Sequence, residues 1–432
     1  MAMLPKDFPK WKTVYHYFRA WRSSVQVTFD LQADLFRTSS NMDMSNMDIT
    51  QSSYKKETSG HKENKKIFSL QILRGLAAVL VVHNHAIHHT INFKEDSFQK
   101  DFFFLEHIGA VGVDIFFVIS GFIITITSSN YVRNHGAKDF LIKRLIRIMP
   151  VFYLLSLLEI IFRVTGIKGG NLSWATTVKT IILLPIFDHG KYVFPFISAG
   201  WSLSFEFYFY LIIALSLFLF KKSFIISSCS FMIGLIGLGF FTHDIKSQLF
   251  KFITNPIAIE FILGCIIAKI YQSTFNPSKK FSLAVAILGV TGILLTLFLG
   301  CDDIDKAEYI LDGDNSLKRL FLWGIPSALL VYGFISFEAS RWSEQRSFAS
   351  LIALLIGDAS YSIYLIHGFS LHLINKIWTV FHLSLPDVYI ILGTLVSVLI
   401  GIVFYILCEK RLTQLLNRRY TKFCLERSTL EK

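Results

Sequence analysis

From Ile67 onward the chain is dominated by apolar blocks of about 20 residues, the length that crosses the hydrocarbon core of a bilayer. No other feature restricts the fold as strongly. Backbone N–H and C=O groups inside lipid must be bonded within the protein, so blocks of this length are α-helices. The 432 residues are 53% hydrophobic, and mean hydropathy is +0.50. Soluble domains run nearer about 45–50% apolar, and one core in a chain of this length cannot hide every block. The expected fold class is therefore all-α, a polytopic integral membrane protein with about ten transmembrane helices. The spans are expected near 70–91, 108–129, 148–166, 201–220, 223–241, 254–271, 282–300, 318–336, 349–372 and 387–408.

The formal charge of +12 would suggest nucleic acid in a soluble protein. Here the cations gather in short loops and the tail, as cytoplasmic loops do. Lys138, Lys143, Arg144 and Arg147 precede the third span. Lys221, Lys222, Lys279, Lys280, Arg341 and Arg346 follow in later loops, and Lys410, Arg411, Arg418, Arg419 and Lys422 lie in the tail. The loop between spans seven and eight carries Asp302, Asp303, Asp305, Glu308, Asp312 and Asp314 instead. Both termini are expected to be cytoplasmic, and the expected partners are the lipid bilayer and anionic cofactors rather than nucleic acid.

Three regions are expected: 1–66, a polar, disordered cytoplasmic extension; 67–409, the transmembrane domain; and 410–432, a basic cytoplasmic tail. Ser39 to Lys66 is rich in Ser, Asn, Asp and Lys, and the segment before it lacks the uninterrupted apolar run of a secretory signal. Between Gly166 and Gly200, the run Val178 to Phe187 is too short to cross comfortably and suits a re-entrant segment. The five cysteines form no C-x-x-C pair, so neither a disulfide framework nor a metal site is expected.

Ionisable residues inside spans are costly and usually face a bundle interior or watery cavity. Arg74 and His85 share one face of the first span, roughly 16 Å apart along its axis. His88 and His89 follow on the same side, and His83 points elsewhere. Read alone, Arg74 is equally a snorkelling anchor and the histidines interfacial residues. Asp114 lies in the apolar block GVDIFFVISGF, where Ser120 and Gly121 suit close helix packing. Arg144 and Arg147, with Lys143 beside them, form an ordinary positive-inside cluster that is also fit to grip phosphates. Glu206 sits inside the fourth span and needs a partner, while Trp201 and Tyr208 suit an aromatic belt. Tyr361, Tyr364 and His367 recur at three-residue steps, as either polar glue between helices or site residues.

In combination these residues resemble the membrane-bound acyltransferase-3 family, which includes O-acetyltransferases of O-antigen and exopolysaccharide. The resemblance runs from about Ile67 to Glu409. It rests on Arg74 and His85 with ten residues between them, G-V-D-x-F-F-x-x-S-G-F at Gly112 and R-x-x-R-x-x-P at Arg144. W-S-L-x-x-E at Trp201 and S-Y-x-x-Y-L-x-H at Ser360 complete the set. Asn84 departs from the aromatic often found before the histidine, and His83 is an extra neighbour. The resemblance implies a membrane enzyme that moves an acyl group, usually acetyl, from cytoplasmic acyl-CoA to a hydroxyl at or beyond the outer face. The acceptor it implies is a cell-surface glycan or glycolipid, and the place a bacterial inner membrane. No permanently bound cofactor is expected; acetyl-CoA is the donor co-substrate.

By the same resemblance, His85 is the essential base, with Arg74 its companion and Glu206 a site residue. Arg144, Arg147 and Lys143 contact the donor. Asp114, Ser120, Trp201, Tyr361 and His367 are further site candidates. His85 either takes the acceptor proton or carries the acyl group covalently. The competing readings are a transporter or flippase using the same buried charges, or an acyltransferase acting on a small molecule or using succinyl-CoA.

Overall fold

The structure is a computed structural model. It describes residues 67–90, 93, 97–99, 105–133, 136–166, 173–183, 187–188, 191–242, 247–299, 304–311, 313, 315–339, 347–383 and 385–430. The extension 1–66, Arg341, Arg346 and four acidic-loop residues (Asp302, Asp303, Asp312, Asp314) lie outside the described residues.

The main helices, in chain order, begin with α1 (Phe68–His89), α2 (Val111–Arg133), α3 (Gly136–Val164), α4 (Trp174–Ile182) and α5 (Trp201–Phe220). Next come α6 (Phe224–Phe241), α7 (Ala258–Gln272), α8 (Lys279–Leu299) and α9 (Ile325–Ala339). The last are α10 (Phe348–Asp358), α11 (Ser360–Val380), α12 (Pro386–Phe404) and α13 (Lys410–Leu430). Single π-turns, Leu320–Gly324 and Tyr405–Glu409, lead into α9 and join α12 to α13. A two-residue antiparallel pair, Phe187–Asp188 with Lys191–Tyr192, lies between α4 and α5.

Among the described residues, eight helical segments are long and apolar enough to cross a membrane, or nine with the bent pair α10–α11 counted as one. One of the eight, Ser198–Phe241, is 44 residues long. At 1.5 Å per residue it would reach about 66 Å, twice the hydrocarbon thickness. Lys221, with φ 39, breaks it into α5 and α6, which are the fourth and fifth expected spans. The outer surface is apolar, as lipid contact requires: Phe218, Phe241 and Phe298 are 72%, 88% and 85% exposed.

Two expected spans have different limits. The third starts at Gly136, twelve residues early, so Arg144, Arg147 and Pro150 all lie inside one 29-residue helix. The ninth, expected as one continuous helix, bends by 72° between α10 and α11. Gly357 seats its Cα where an added Cβ would be 2.1 Å from the Gln71 carbonyl of α1. The bend therefore rests on a contact distant in sequence. A second close approach joins α2 to α7. Added Cβ atoms on Gly121 and Gly264 would lie 2.1 Å from Phe261 O and 2.0 Å from Val118 O, so Gly121 does permit the packing its block suggests.

The segment between α3 and α5 folds onto the bundle through α4. Lys179 is fully buried, donates from Nζ to Ser204 Oγ at 2.9 Å and sits 4.5 Å from the centre of the Tyr192 ring. Burial pushes its ammonium down from the usual 10.5 to about 7. The unfolded chain therefore binds more protons between those two values. Stability rises with pH across that window and is lost as pH falls through about 7. We expect the thermal midpoint of detergent-solubilised protein to rise between pH 7 and 9, and Lys179→Met to flatten that rise. An identical slope in the variant would contradict this.

Candidate active site

The helices leave a cavity of about 760 Å³, counting its open mouth, between α1, α2, α3, α5 and α11. α1 contributes Arg74, α2 Phe116 and Ser120, and α3 Arg144 and Arg147. Ser202, Glu206 and Tyr210 come from α5, and Tyr361 and Tyr364 from α11. Six of the sequence candidates therefore line this cavity: Arg74, Ser120, Arg144, Arg147, Glu206 and Tyr361.

Their contacts define a cationic chamber. Glu206 Oε1 accepts from Ser120 Oγ at 3.2 Å and from the Tyr210 hydroxyl one helical turn away. Arg144 donates to Thr127 Oγ1 at 2.5 Å, and its guanidinium lies over the Phe140 and Tyr210 rings. Arg74 makes a 3.3 Å bond to Gln71 Oε1. Arg147 has no hydrogen-bond or ion-pair partner among the described residues. The wall itself carries three guanidiniums and one carboxylate. Glu409 and Asp358 lie within electrostatic reach of Arg74 from outside it, and the arginine forks that face the cavity suit an anion carrying phosphate groups.

His85 stands above this chamber on the Arg74 face of α1, about 20° off in rotation and 16 Å along the axis. It is exposed although Asn84, Ala86 and Ile87 beside it are buried. Its ring packs edge-on against buried His367, centroids 4.7 Å apart, and lies 6.4 Å from His88. The ring thus packs against the buried face of α11. His85 Nδ1 is 2.9 Å from Val81 O, and His367 Nδ1 is 2.6 Å from Tyr364 O. A carbonyl only accepts, so both Nδ1 atoms carry hydrogen, and in the neutral ring each Nε2 then holds the lone pair. Neither ring lines the chamber itself. His83 points away, to Thr394 Oγ1 at 3.2 Å.

Three candidates stand apart. Asp114 is fully buried and bound by Arg319, with Nε to Oδ1 at 2.8 Å and Nη2 to Oδ2 at 2.7 Å. Arg319 also donates to Ile304 O and Ala110 O, so Asp114 ties α2 to the turn before α9. Lys143 is an exposed side chain 3.9 Å from Asp139 and over the Tyr131 ring, outside the cavity wall. Trp201 is only 8% exposed and packs edge-on against Phe205, so it is not part of an exposed belt. Tyr361, Tyr364 and His367 fan out to three elements: Tyr361 donates to Ile148 O of α3, Tyr364 to Ala199 O, and His367 meets α1.

Sequence reasoning missed Tyr210, Ser202 and Arg319, and it saw Tyr364 as one of a recurring stripe without singling it out for the site. Tyr210 was within reach, being four residues after Glu206 on a helix. Tyr364 and Ser202 stood inside quoted motifs. Arg319 carried no local signal.

The class of this helical bundle is given by comparison with known proteins. The acyltransferase-3 family model, described as an acyltransferase domain, matches residues 67–406. The chain belongs to this family and is an acyltransferase of the O-acetyltransferase type, so the transporter reading falls away. It is 28% identical over 307 residues to the exopolysaccharide production protein ExoZ of Rhizobium meliloti (strain 1021), covering 71% of this chain and 90% of that one. It is 30% identical over 292 residues to the O-acetyltransferase OatA of Staphylococcus aureus (strain NCTC 8325 / PS 47), covering 60% of this chain but 45% of OatA. Nodulation protein 10 of Rhizobium leguminosarum bv. viciae is 34% identical over 112 residues, 25% of this chain and 27% of that protein. No solved structure matches the chain.

Proposed function

We propose that the protein transfers an acetyl group from acyl-CoA, entering at the arginine chamber, to a hydroxyl of a cell-surface glycan or glycolipid. Its place is a bacterial inner membrane, with both termini in the cytoplasm. The observation that carries this reading is the placement of Arg74 and His85 on one inward face, with Arg144 and Arg147 on the wall beside Arg74. The likeness to an exopolysaccharide production protein and an O-acetyltransferase supports a polysaccharide acceptor.

In this mechanism Arg144 and Arg147 hold the phosphates of coenzyme A, and the pantetheine arm extends along α1 toward the histidines. The free Nε2 of His85 takes the hydroxyl proton as the acceptor oxygen bonds to the thioester carbonyl carbon. Arg74, about 16 Å below His85 along α1, stays in the chamber and adds to the positive potential that holds the donor. Collapse of the tetrahedral intermediate breaks the C–S bond, and the proton passes to the departing thiolate. Lys143 adds positive potential outside the chamber.

Mass spectrometry of surface glycan from a strain lacking the gene should show one acetyl mass missing, restored by the intact gene. Unchanged acetylation of every surface glycan would refute the polysaccharide acceptor. Arg147→Ala should raise KM for acetyl-CoA about 10- to 100-fold, the effect of one charge-assisted hydrogen bond, with a smaller change in kcat. An unaltered KM would remove Arg147 from donor binding.

A further inference from the structure

The arginine chamber and the histidine pair share one side chain. Tyr364 lines the chamber, and its ring centroid is 6.0 Å from that of His367, which in turn touches His85. Its backbone carbonyl holds His367 Nδ1. The phenol is fixed at its tip: it donates to Ala199 O at 2.9 Å and accepts from Ser202 Oγ at 2.8 Å. Phe116 closes the other side, edge-on with centroids 5.8 Å apart. On α1, Val81 is 2% exposed and fills the stripe between Arg74 and His85. A thioester held in the chamber meets this barrier before it meets the imidazole.

We propose that Tyr364, pinned by Ser202 and the Ala199 carbonyl, is the partition between donor chamber and histidine pair and sets both acyl-chain length and exclusion of water. This rests on the acyl-CoA reading above. A two-carbon acyl group passes the ring edge with a small rotation of the phenol; each further methylene must displace the ring or Phe116. A partition that closes behind the acyl group also keeps acceptor-side water from the thioester carbonyl. When it leaks, a water oxygen bonds to that carbon, the C–S bond breaks, and free acid and CoA thiol leave.

The test uses purified full-length protein in liposomes with acetyl-, butyryl- and hexanoyl-CoA, following CoA thiol release without acceptor. Wild type should hydrolyse acetyl-CoA slowly and hexanoyl-CoA more slowly still. Tyr364→Ala should raise acetyl-CoA hydrolysis about tenfold or more and raise the hexanoyl-to-acetyl ratio of kcat/KM about tenfold, the scale on which a pocket discriminates by methylenes. Tyr364→Phe removes the phenol hydroxyl and Ser202→Ala its serine partner, and both keep the ring. They should move both readouts the same way by a few fold, and they serve should the alanine variant fail to fold. Wild-type turnover with unchanged hydrolysis and unchanged chain-length ratio in the folded variants would overturn the partition alone. Failure of the wild type to bind or cleave any acyl-CoA would overturn the donor assignment and the partition with it.

Discussion

Replacing His85 with alanine is expected to abolish glycan acetylation in cells while leaving the protein inserted and folded. The loss should be about 10²- to 10⁴-fold in kcat, the usual contribution of a positioned general base. The side chain donates only to Val81 O of its own helix and makes an edge contact with His367, so its removal breaks no tertiary hydrogen bond shown for it. Activity and stability should therefore separate. His85→Gln keeps a hydrogen-bonding group but no base and should be equally inactive. Wild-type acetylation by a folded His85→Ala protein would exclude the imidazole from the reaction.

The second large effect concerns folding. Arg319 and Asp114 are both fully buried and bonded through two parallel contacts, and Glu260 lies within electrostatic reach of both. Arg319 also lies over the Trp323 ring, 4.9 Å from its centre. Arg319→Met strands the Asp114 carboxylate in a fully buried site. Breaking a buried pair from one side costs about 3–5 kcal/mol, enough to lower the melting midpoint steeply or prevent accumulation in the membrane. The double variant Asp114→Asn/Arg319→Met should recover much of that loss, because no uncompensated charge remains. A single variant as stable as wild type in a detergent melting assay would contradict the account.

The contrast between these residues shows what the chain made legible. Arg74 and His85 could be paired because both lie on one helix, where a fixed rise and rotation set their relation. Tyr361, Tyr364 and His367 were visible as a recurring set for the same reason, but the three elements they reach were not. Asp114 stands out in the sequence as a carboxylate in an apolar block, yet it braces the fold rather than lining the chamber. Its partner lies 205 positions later, in a turn with no distinguishing pattern. The 72° bend before Ser360 was hidden likewise, since Gly357 meets Gln71 of a helix far upstream. Span lengths were readable from hydrophobicity alone except where, as in α3, a helix continues past the apolar stretch into charged residues, two of which line the chamber.

The central claim is that the arginine chamber receives a coenzyme A thioester and that His85 acts on it. The direct measurement is equilibrium binding and turnover of isotope-labelled acetyl-CoA by purified protein in liposomes, comparing wild type, the Arg144→Ala/Arg147→Ala double variant and His85→Ala. Wild type and His85→Ala are expected to bind saturably, the double variant to lose binding, and wild type alone to transfer acetyl to added glycan. Absence of saturable acetyl-CoA binding by folded wild-type protein, or transfer that persists without His85, would contradict it.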